Sequence, residues 1–599
     1  MRVNFSSRII NLLIASVVLT ISFKISSLPV DSFVLRRLND LIFLTGIFFL
    51  SIFIAGILNF NLRKVDQILC DVSYKKFISV LVLVTILLTS LISFFILDAI
   101  PHIQDEIAYL FQAKIFSIGN LYATPHKLKE FFDYEFVIND NGKWYGKYFF
   151  GFPLLLSLGV IIGYPWIINP LIGAISIFVI SLIGRDLFGK ETERFTPLLC
   201  LVSPFYLFMC ATYLSHPSAL FFSSIFILYF IKSLKSNSWK YPLFSGLALG
   251  FGFNIRPYDS LLIALPFLFY GIVSLIQKKI GIKHLFFFVL PTLFFLSLLL
   301  SYNFFLTGDA FLTPFNKYCP DDRLGFGKNI GLPYLKEYGQ SFFARLVNTK
   351  NNLQHISQGL LGWPVLTSSL IFIPFFSKTR NRWDWIFLTS FLLIVFGYVL
   401  YYIDGIAFGA RYYFQTLPIL LILMVRGIGF IDEPLKKLVH KIFSISPSSA
   451  NNVLPLLIFF LLLRSAVAYI PERAEEYKNR YWNIDSVLEN MVKKANIHNA
   501  VVFIKSGNFK KQEAAPNYYG AGFSLNSPKL DTDIIYARDL GDEKNEELMK
   551  EFPRRKFYRF IYYNSLITDE RAYTLNLKPV LYEFPKPELG QRNFFYHIP

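Results

Sequence analysis

Apolar residues along this chain come in long blocks separated by short polar loops. A helix of about 20 residues crosses a bilayer core about 30 Å thick, and blocks near that length lie at 9–28, 39–60, 76–98, 165–184, 195–213, 217–231, 241–255, 259–277, 284–303, 359–376, 385–403, 409–428 and 452–470. The expectation is an all-α polytopic membrane protein with thirteen spans. A further apolar run at 149–163 holds Pro153 and flanking glycines; about 15 residues rising 1.5 Å each reach only some 22 Å, so it is read as a helix lying on the membrane surface. After Pro471 the pattern changes to short alternating runs, Ala500 to Ile504 and Asp533 to Ala537, with a helical stretch from Lys544 to Phe552. This predicts a small α/β domain outside the membrane.

Loop charge orients the spans. Arg63, Lys64, Lys75 and Lys76, then Arg185, Lys190 and Arg194, Lys232, Lys235 and Lys240, Lys278, Lys279 and Lys283, Lys378, Arg380 and Arg382, and Lys436, Lys437 and Lys441 all fall on one side if the spans alternate. Basic loops stay cytoplasmic. The N-terminus, with Arg2 and Arg8, is then inside, and the loop 99–164 and the tail are outside. Lys24, Arg36 and Arg37 break the rule. The first run lacks a small-residue cleavage site at Ser26-Ser27-Leu28-Pro29, so an uncleaved first helix is expected.

Composition agrees with this class: 54% of residues are hydrophobic and only 17% charged, against roughly 25% charged in an average soluble domain. The formal charge of +18 does not imply nucleic acid, because the tail is nearly balanced and the excess is the inner-side anchoring charge of the membrane part. Four cysteines, three of them at membrane positions, make no disulfide framework.

Ionisable residues collect in loops at one face, not inside spans as a transport path would have them. That distribution favours a catalytic cavity at the membrane surface. Asp105 and Glu106 open the first long outer loop, just past a span. Asp105 also suits the N-cap of a helix from Glu106 to Phe116, and Glu106 the first-turn position favoured by the helix dipole. Arg256 and Arg411 are isolated cations at outer span ends. Their planar forks match phosphate, although such residues also snorkel to headgroups.

Asp105-Glu106-Ile107-Ala108-Tyr109, Gln112-Ala113, Gly119-Asn120-Leu121-Tyr122, Gly142 to Tyr148 and Gly151-Phe152-Pro153 resemble the first outer loop of the protein-mannosyltransferase-like branch of bacterial GT-C glycosyltransferases. Lipid A aminoarabinose transferase and the protein O-mannosyltransferases are relatives in this branch. Ser203-Pro204, Ser215-His216-Pro217, Asn303 to Gly308, Leu324 to Gly327, Gly362-Trp363-Pro364 and Gly409 to Tyr413 match in style, so the resemblance covers about 80–430 and not the tail. It implies a polyprenyl-phosphate-linked sugar donor and inverting transfer to an envelope lipid, glycan or protein on the outer side of the cytoplasmic (inner) membrane. By position Asp105 matches the family's catalytic aspartate, the base that takes the acceptor proton.

Donor phosphate then falls to Arg256 and Arg411, with Lys147 and Arg323 as further candidates, and Tyr109, Tyr145, Tyr302 and Asn303 shape the cleft. Some relatives complete a metal site with a second acid before the surface helix, which Gly146 to Pro153 lacks here. A divalent Mg or Mn would have Asp105, Glu106 and His216 as its ligands, while a lone His-Pro at a helix start also serves structure alone. The division expected is an N-terminal hairpin 1–75, a catalytic membrane domain 76–470 with outer loops 99–164 and 304–358, and a tail domain 471–599. A lipid or polysaccharide transporter and a non-catalytic envelope scaffold are the alternatives; no internal repeat of loops or spans supports transport.

Overall fold

The computed structural model describes residues 5–26, 33–58, 61–332, 341–378, 380–478, 480–506, 518–564 and 577–583. Arg2, Ser27, Leu28, Pro29 and the last residues of the tail lie outside them. Helices α1 (Phe5–Ser26) and α2 (Phe33–Ile57) pack against each other as a hairpin, and the short α3 (Arg63–Asp71) leads to α4 (Tyr74–Phe95). Two shorter helices follow in the first long loop, α5 (Gln104–Ser117) and α6 (Gly151–Ile161). The bundle continues through α7 (Ile168–Phe188), α8 (Lys190–Leu201), α9 (Pro204–Met209), α10 (His216–Lys235), α11 (Lys240–Phe253), α12 (Pro257–Ile276) and α13 (Ile282–Thr307).

A second long loop carries α14 (Pro314–Tyr318) and α15 (Phe342–Gly359). A 3-10 segment, Val365–Phe372, runs into α16 (Ile373–Phe376), and α17 (Arg382–Val399), α18 (Leu417–Phe443), α19 (Pro447–Ala450) and α20 (Val453–Arg464) close the bundle. Among the described residues nine helices are long and apolar enough to cross a membrane. The other expected spans fall on shorter helices. The run 195–213, expected as one span, is broken into α8 and α9: Pro204 has no N–H to continue the first helix, and the Ser203 hydroxyl starts a new one by accepting the Tyr206 N–H at 3.2 Å.

Side-chain contacts gather the basic loops at one end of the bundle. Arg63 pairs with Asp432, Arg194 donates to the Val72 carbonyl at 2.9 Å, and Lys235 donates to the Asp186 carbonyl. The first long loop, the second long loop and the tail meet at the other end. Near that end Arg37, one of the three exceptions to the charge rule, is paired with Asp40 at 2.8 Å.

The tail opens with α21 (Ile470–Lys478) and α22 (Val487–Lys494). Its sheet has the order β4-β3-β5-β6, built from β3 (Ala500–Ile504), β4 (Ile534–Arg538), β5 (Lys556–Asn564) and β6 (Leu577–Glu583). The first three strands are parallel, with β6 antiparallel on β5, and α23 (Tyr519–Leu525) and α24 (Asp542–Glu551) flank them. The hairpin β1 (Val137–Asp140) and β2 (Lys143–Gly146) belongs to the first long loop.

Loop and tail share one hydrophobic core. Ile107, Phe111, Phe131 and Trp144 are buried with Val501, Phe503, Tyr519 and Phe523, and Phe523 stacks on Tyr134 at 4.9 Å. Lys114 of α5 donates to the carbonyls of Ser524 and Asn526 at 2.5 and 2.9 Å. The tail therefore clamps the outward face of α5, and the other face is left to form the site.

Candidate active site

Asp105 is not the cap of its helix. Ile103 is the N-cap, so Asp105 sits at the second position of the first turn of α5, where the N-terminal partial charge favours an anion. One carboxylate oxygen accepts the Tyr148 hydroxyl at 2.6 Å, and the other faces Arg411 Nη1 at 3.4 Å. Burial alone would raise this carboxyl, but Arg411, the Tyr148 hydrogen bond and Lys147 outweigh it and hold the group below its ordinary value. Asp105 is therefore ionised at neutral pH.

Glu106 points the other way and is fully buried. One oxygen accepts the backbone N–H groups of His102 (2.7 Å) and Ile103 (3.2 Å), and the other that of Tyr213 (2.7 Å). It ties the start of α5 to the turn before α10, which fixes where Asp105 stands. Orphaning a buried donor costs about 1–3 kcal/mol, so Glu106→Ala, which strands three, is expected to lower stability by several times that unit. Thermal unfolding in detergent checks it: a melting temperature within a degree of the parent would refute this anchoring role.

Arg411 is delivered by a tight turn. Phe408 and Gly409 both adopt positive φ, 54° and 104°, and a Cβ on Gly409 would come within 2.8 Å of the Phe205 ring, so glycine is required there. The chain then enters the 3-10 turn Arg411–Thr416 ahead of α18. Arg411 Nε and Nη1 are buried without a hydrogen-bond partner among the described residues, and so are both ring nitrogens of His216. Tyr412 lies between these groups: its ring is 6.4 Å from that of His216, and the guanidinium carbons of Arg411 and Arg256 stand 5.3 and 5.6 Å from it. Arg256 is committed. It pairs with Asp259 and donates to the Tyr398 hydroxyl at 3.0 Å, and Tyr398 stacks on Tyr412 with ring centres 4.6 Å apart.

Its place is fixed by the first loop, since the Gly151 N–H donates to the Asn254 carbonyl at 2.7 Å.

Lys147 is buried beside the pair. Its ammonium meets Asp322 at 3.3 Å and lies 3.8 Å above the Phe136 ring; burial pulls it down, and Asp322 and Asp105 offset part of that. Tyr109 lines the same place, its hydroxyl 2.9 Å from Ser215 Oγ and its ring 4.4 Å from Tyr148. Tyr145, Tyr302 and Asn303 are elsewhere. Tyr145 and Tyr302 pack with Ile138 and Leu306 where the β-hairpin meets the end of α13, and Asn303 donates to the Ala310 carbonyl at 3.0 Å. Arg323 is exposed on the second long loop.

The residues named for a metal do not make a ligand set: Glu106 has spent both oxygens on backbone donors, and His216 lies against Tyr412 on the side of the two arginines. No group of three His, Cys, Asp or Glu side chains among the described residues stands close enough to hold a metal ion. Sequence reasoning named the motif holding Tyr148 without giving that residue a part, and missed Asp259, Asp322, Tyr398 and Tyr412. Only the Tyr412 position, beside Arg411 in the Gly409 to Tyr413 motif, carried a sequence signal.

Residues 165–302 match the family model of the dolichyl-phosphate-mannose-protein mannosyltransferases. No sequence among the curated proteins matches the chain. Among solved structures the chain is similar to ArnT from Cupriavidus metallidurans bound to undecaprenyl phosphate, with a TM-score of 0.52 and 11% identity over 82% of this chain and 94% of that one. It is also similar to the oligosaccharyltransferase AglB from Archaeoglobus fulgidus in complex with an inhibitory peptide and a dolichol-phosphate, with a TM-score of 0.42 and 12% identity over 82% and 70%. The chain has the fold of the ArnT structure, here a helical bundle with a small C-terminal sheet, and the family match falls inside the stretch that the loop motifs had marked.

Proposed function

We propose that the protein is an integral-membrane glycosyltransferase that moves a sugar from a polyprenyl-phosphate carrier to an envelope lipid, glycan or protein. The observation that carries this is the pairing of an ionised, half-shielded carboxylate, Asp105, with a buried arginine whose Nε and Nη1 lack hydrogen-bond partners among the described residues. Asp105 supplies the base that takes the proton from an acceptor hydroxyl. Arg411, with His216 beside it, supplies donors for the departing lipid phosphate, whose oxygens gain charge as the glycosidic bond breaks. Arg256 neutralises Asp259 and holds Tyr398 against Tyr412, which braces the pocket wall. Undecaprenyl phosphate in the ArnT structure supports a carrier of that chemistry. Residues 76–470 form the catalytic membrane domain in this reading, and the tail from 471 holds α5 in place.

The test is mass spectrometry of envelope lipids, glycans and proteins from cells with and without the protein. One glycosylated species should disappear with it and return with the parent gene but not with the Asp105→Asn variant. An unchanged profile would leave the enzyme reading without support and favour a scaffold.

The site is assigned to the outer face of the cytoplasmic membrane, because the basic loops gather at the opposite end. A cysteine placed at the exposed Asn141 should react with an impermeant maleimide in intact cells. Labelling only after permeabilisation would invert the topology.

A further inference from the structure

At the far end of the bundle from Asp105, helices α10, α12 and α17 border an open cavity of about 190 Å³. Its wall holds Lys235 at the end of α10, Tyr270, Ser274 and Lys279 at the end of α12, and Arg382 and Trp383 at the start of α17. The same three helices reach the active site with their opposite ends, through His216, Arg256 and Tyr398. A 20-residue helix is about 30 Å long. The cavity is therefore a separate site at the other membrane surface.

Three cations line this space, and Lys235 among them is already held by the Asp186 carbonyl. Lys279 and Arg382 make no ion pair with any described residue, and the Arg382 guanidinium lies 5.5 Å from the Tyr270 ring centre, against which Trp383 packs at 5.6 Å. The nearest acid on α17, Asp384, is turned inward and held by Arg426 through two hydrogen bonds of 2.7 and 2.8 Å. A cavity of that size has room for a phosphate group among these cations. Beside it α12 presents Phe269, Ile272 and Ile276 outward, 70%, 56% and 74% exposed, a continuous apolar strip along which a chain attached to that phosphate can lie.

We infer that this cavity is a binding site for the phosphate headgroup of an anionic phospholipid, in the leaflet opposite the reaction. Basic pockets between helix ends at the cytoplasmic side fit such headgroups, each cation adding about 1 kcal/mol of attraction. This inference does not rest on the glycosyl-transfer reading. It is tested with the full chain in detergent, by native mass spectrometry with phosphatidylglycerol, phosphatidylcholine or inorganic phosphate added. The parent should retain one phosphatidylglycerol, and the double variant Lys279→Gln, Arg382→Gln should bind it roughly 30-fold more weakly. Phosphatidylcholine, with its charge cancelled, should be lost from both. The parent melting temperature in the double variant shows that it is folded. Equal retention of phosphatidylglycerol by parent and variant, or of both lipids by the parent, overturns the inference. Displacement of phosphatidylglycerol by millimolar inorganic phosphate, with the same dependence on Lys279 and Arg382, would assign the site to free phosphate and also overturn it.

Discussion

Asp105→Asn is expected to lower turnover by roughly 10²–10⁴-fold, the range for a positioned general base, while expression and melting temperature stay near those of the parent. Asparagine keeps the size of the side chain and an oxygen for the Tyr148 hydroxyl, which donates at 2.6 Å. It also keeps its place in the first turn of α5, because the cap bonds belong to Ile103 and Glu106. Only the proton acceptor and its charge toward Arg411 are removed. Tyr148→Phe is the companion variant: it deletes a hydrogen bond to the base and should cost far less activity than Asp105→Asn. A purified Asp105→Asn enzyme within about threefold of the parent would dismiss Asp105 as the base, whatever the Tyr148 variant does.

Much of the fold was legible because membrane burial writes itself into the local sequence as length and apolarity, and among the described residues nine of the thirteen apolar runs fall on helices long and apolar enough to cross a membrane. The strands of the tail were legible for the same local reason, with Ala500 to Ile504 found as β3. What was not legible depends on distant partners. Ser203-Pro204 signals a helix start, yet the apolar residues around it hid the break between α8 and α9. Glu106 is adjacent to Asp105 in sequence and faces the opposite way, since its third donor is the Tyr213 backbone, 107 residues on. Tyr145 and Asn303 belong to motifs that surround the site in sequence but pack at the end of α13. Lys147 had the look of a phosphate ligand, and its partner Asp322 comes from a loop 175 residues away.

Arg411→Ala should damage donor use more than removal of divalent metal does. Arg411 Nε and Nη1 are buried without a hydrogen-bond partner among the described residues, although Nη1 faces Asp105; hydrogen bonds to a charged group contribute about 1.5–3 kcal/mol each, so losing both to the phosphate corresponds to a fall of roughly 10²–10⁴-fold in kcat/KM. Arg411→Lys keeps the charge but not the fork and should recover part of that. A second readout separates a phosphate contact from a merely structural arginine. In the parent, Arg411 holds the Asp105 carboxyl below its ordinary value against the upward pull of burial, so activity persists until the pH is acid enough to protonate the base. Without Arg411 burial prevails, the carboxyl rises, and the acid limb of the kcat/KM profile should move toward neutral pH. EDTA should leave the parent largely active, because Glu106 and His216 do not join Asp105 in a ligand set and a hard divalent ion wants several oxygens. Complete loss with EDTA, recovery with Mg²⁺ or Mn²⁺ and a near-normal Arg411→Ala enzyme would together transfer the phosphate from the arginine to a metal.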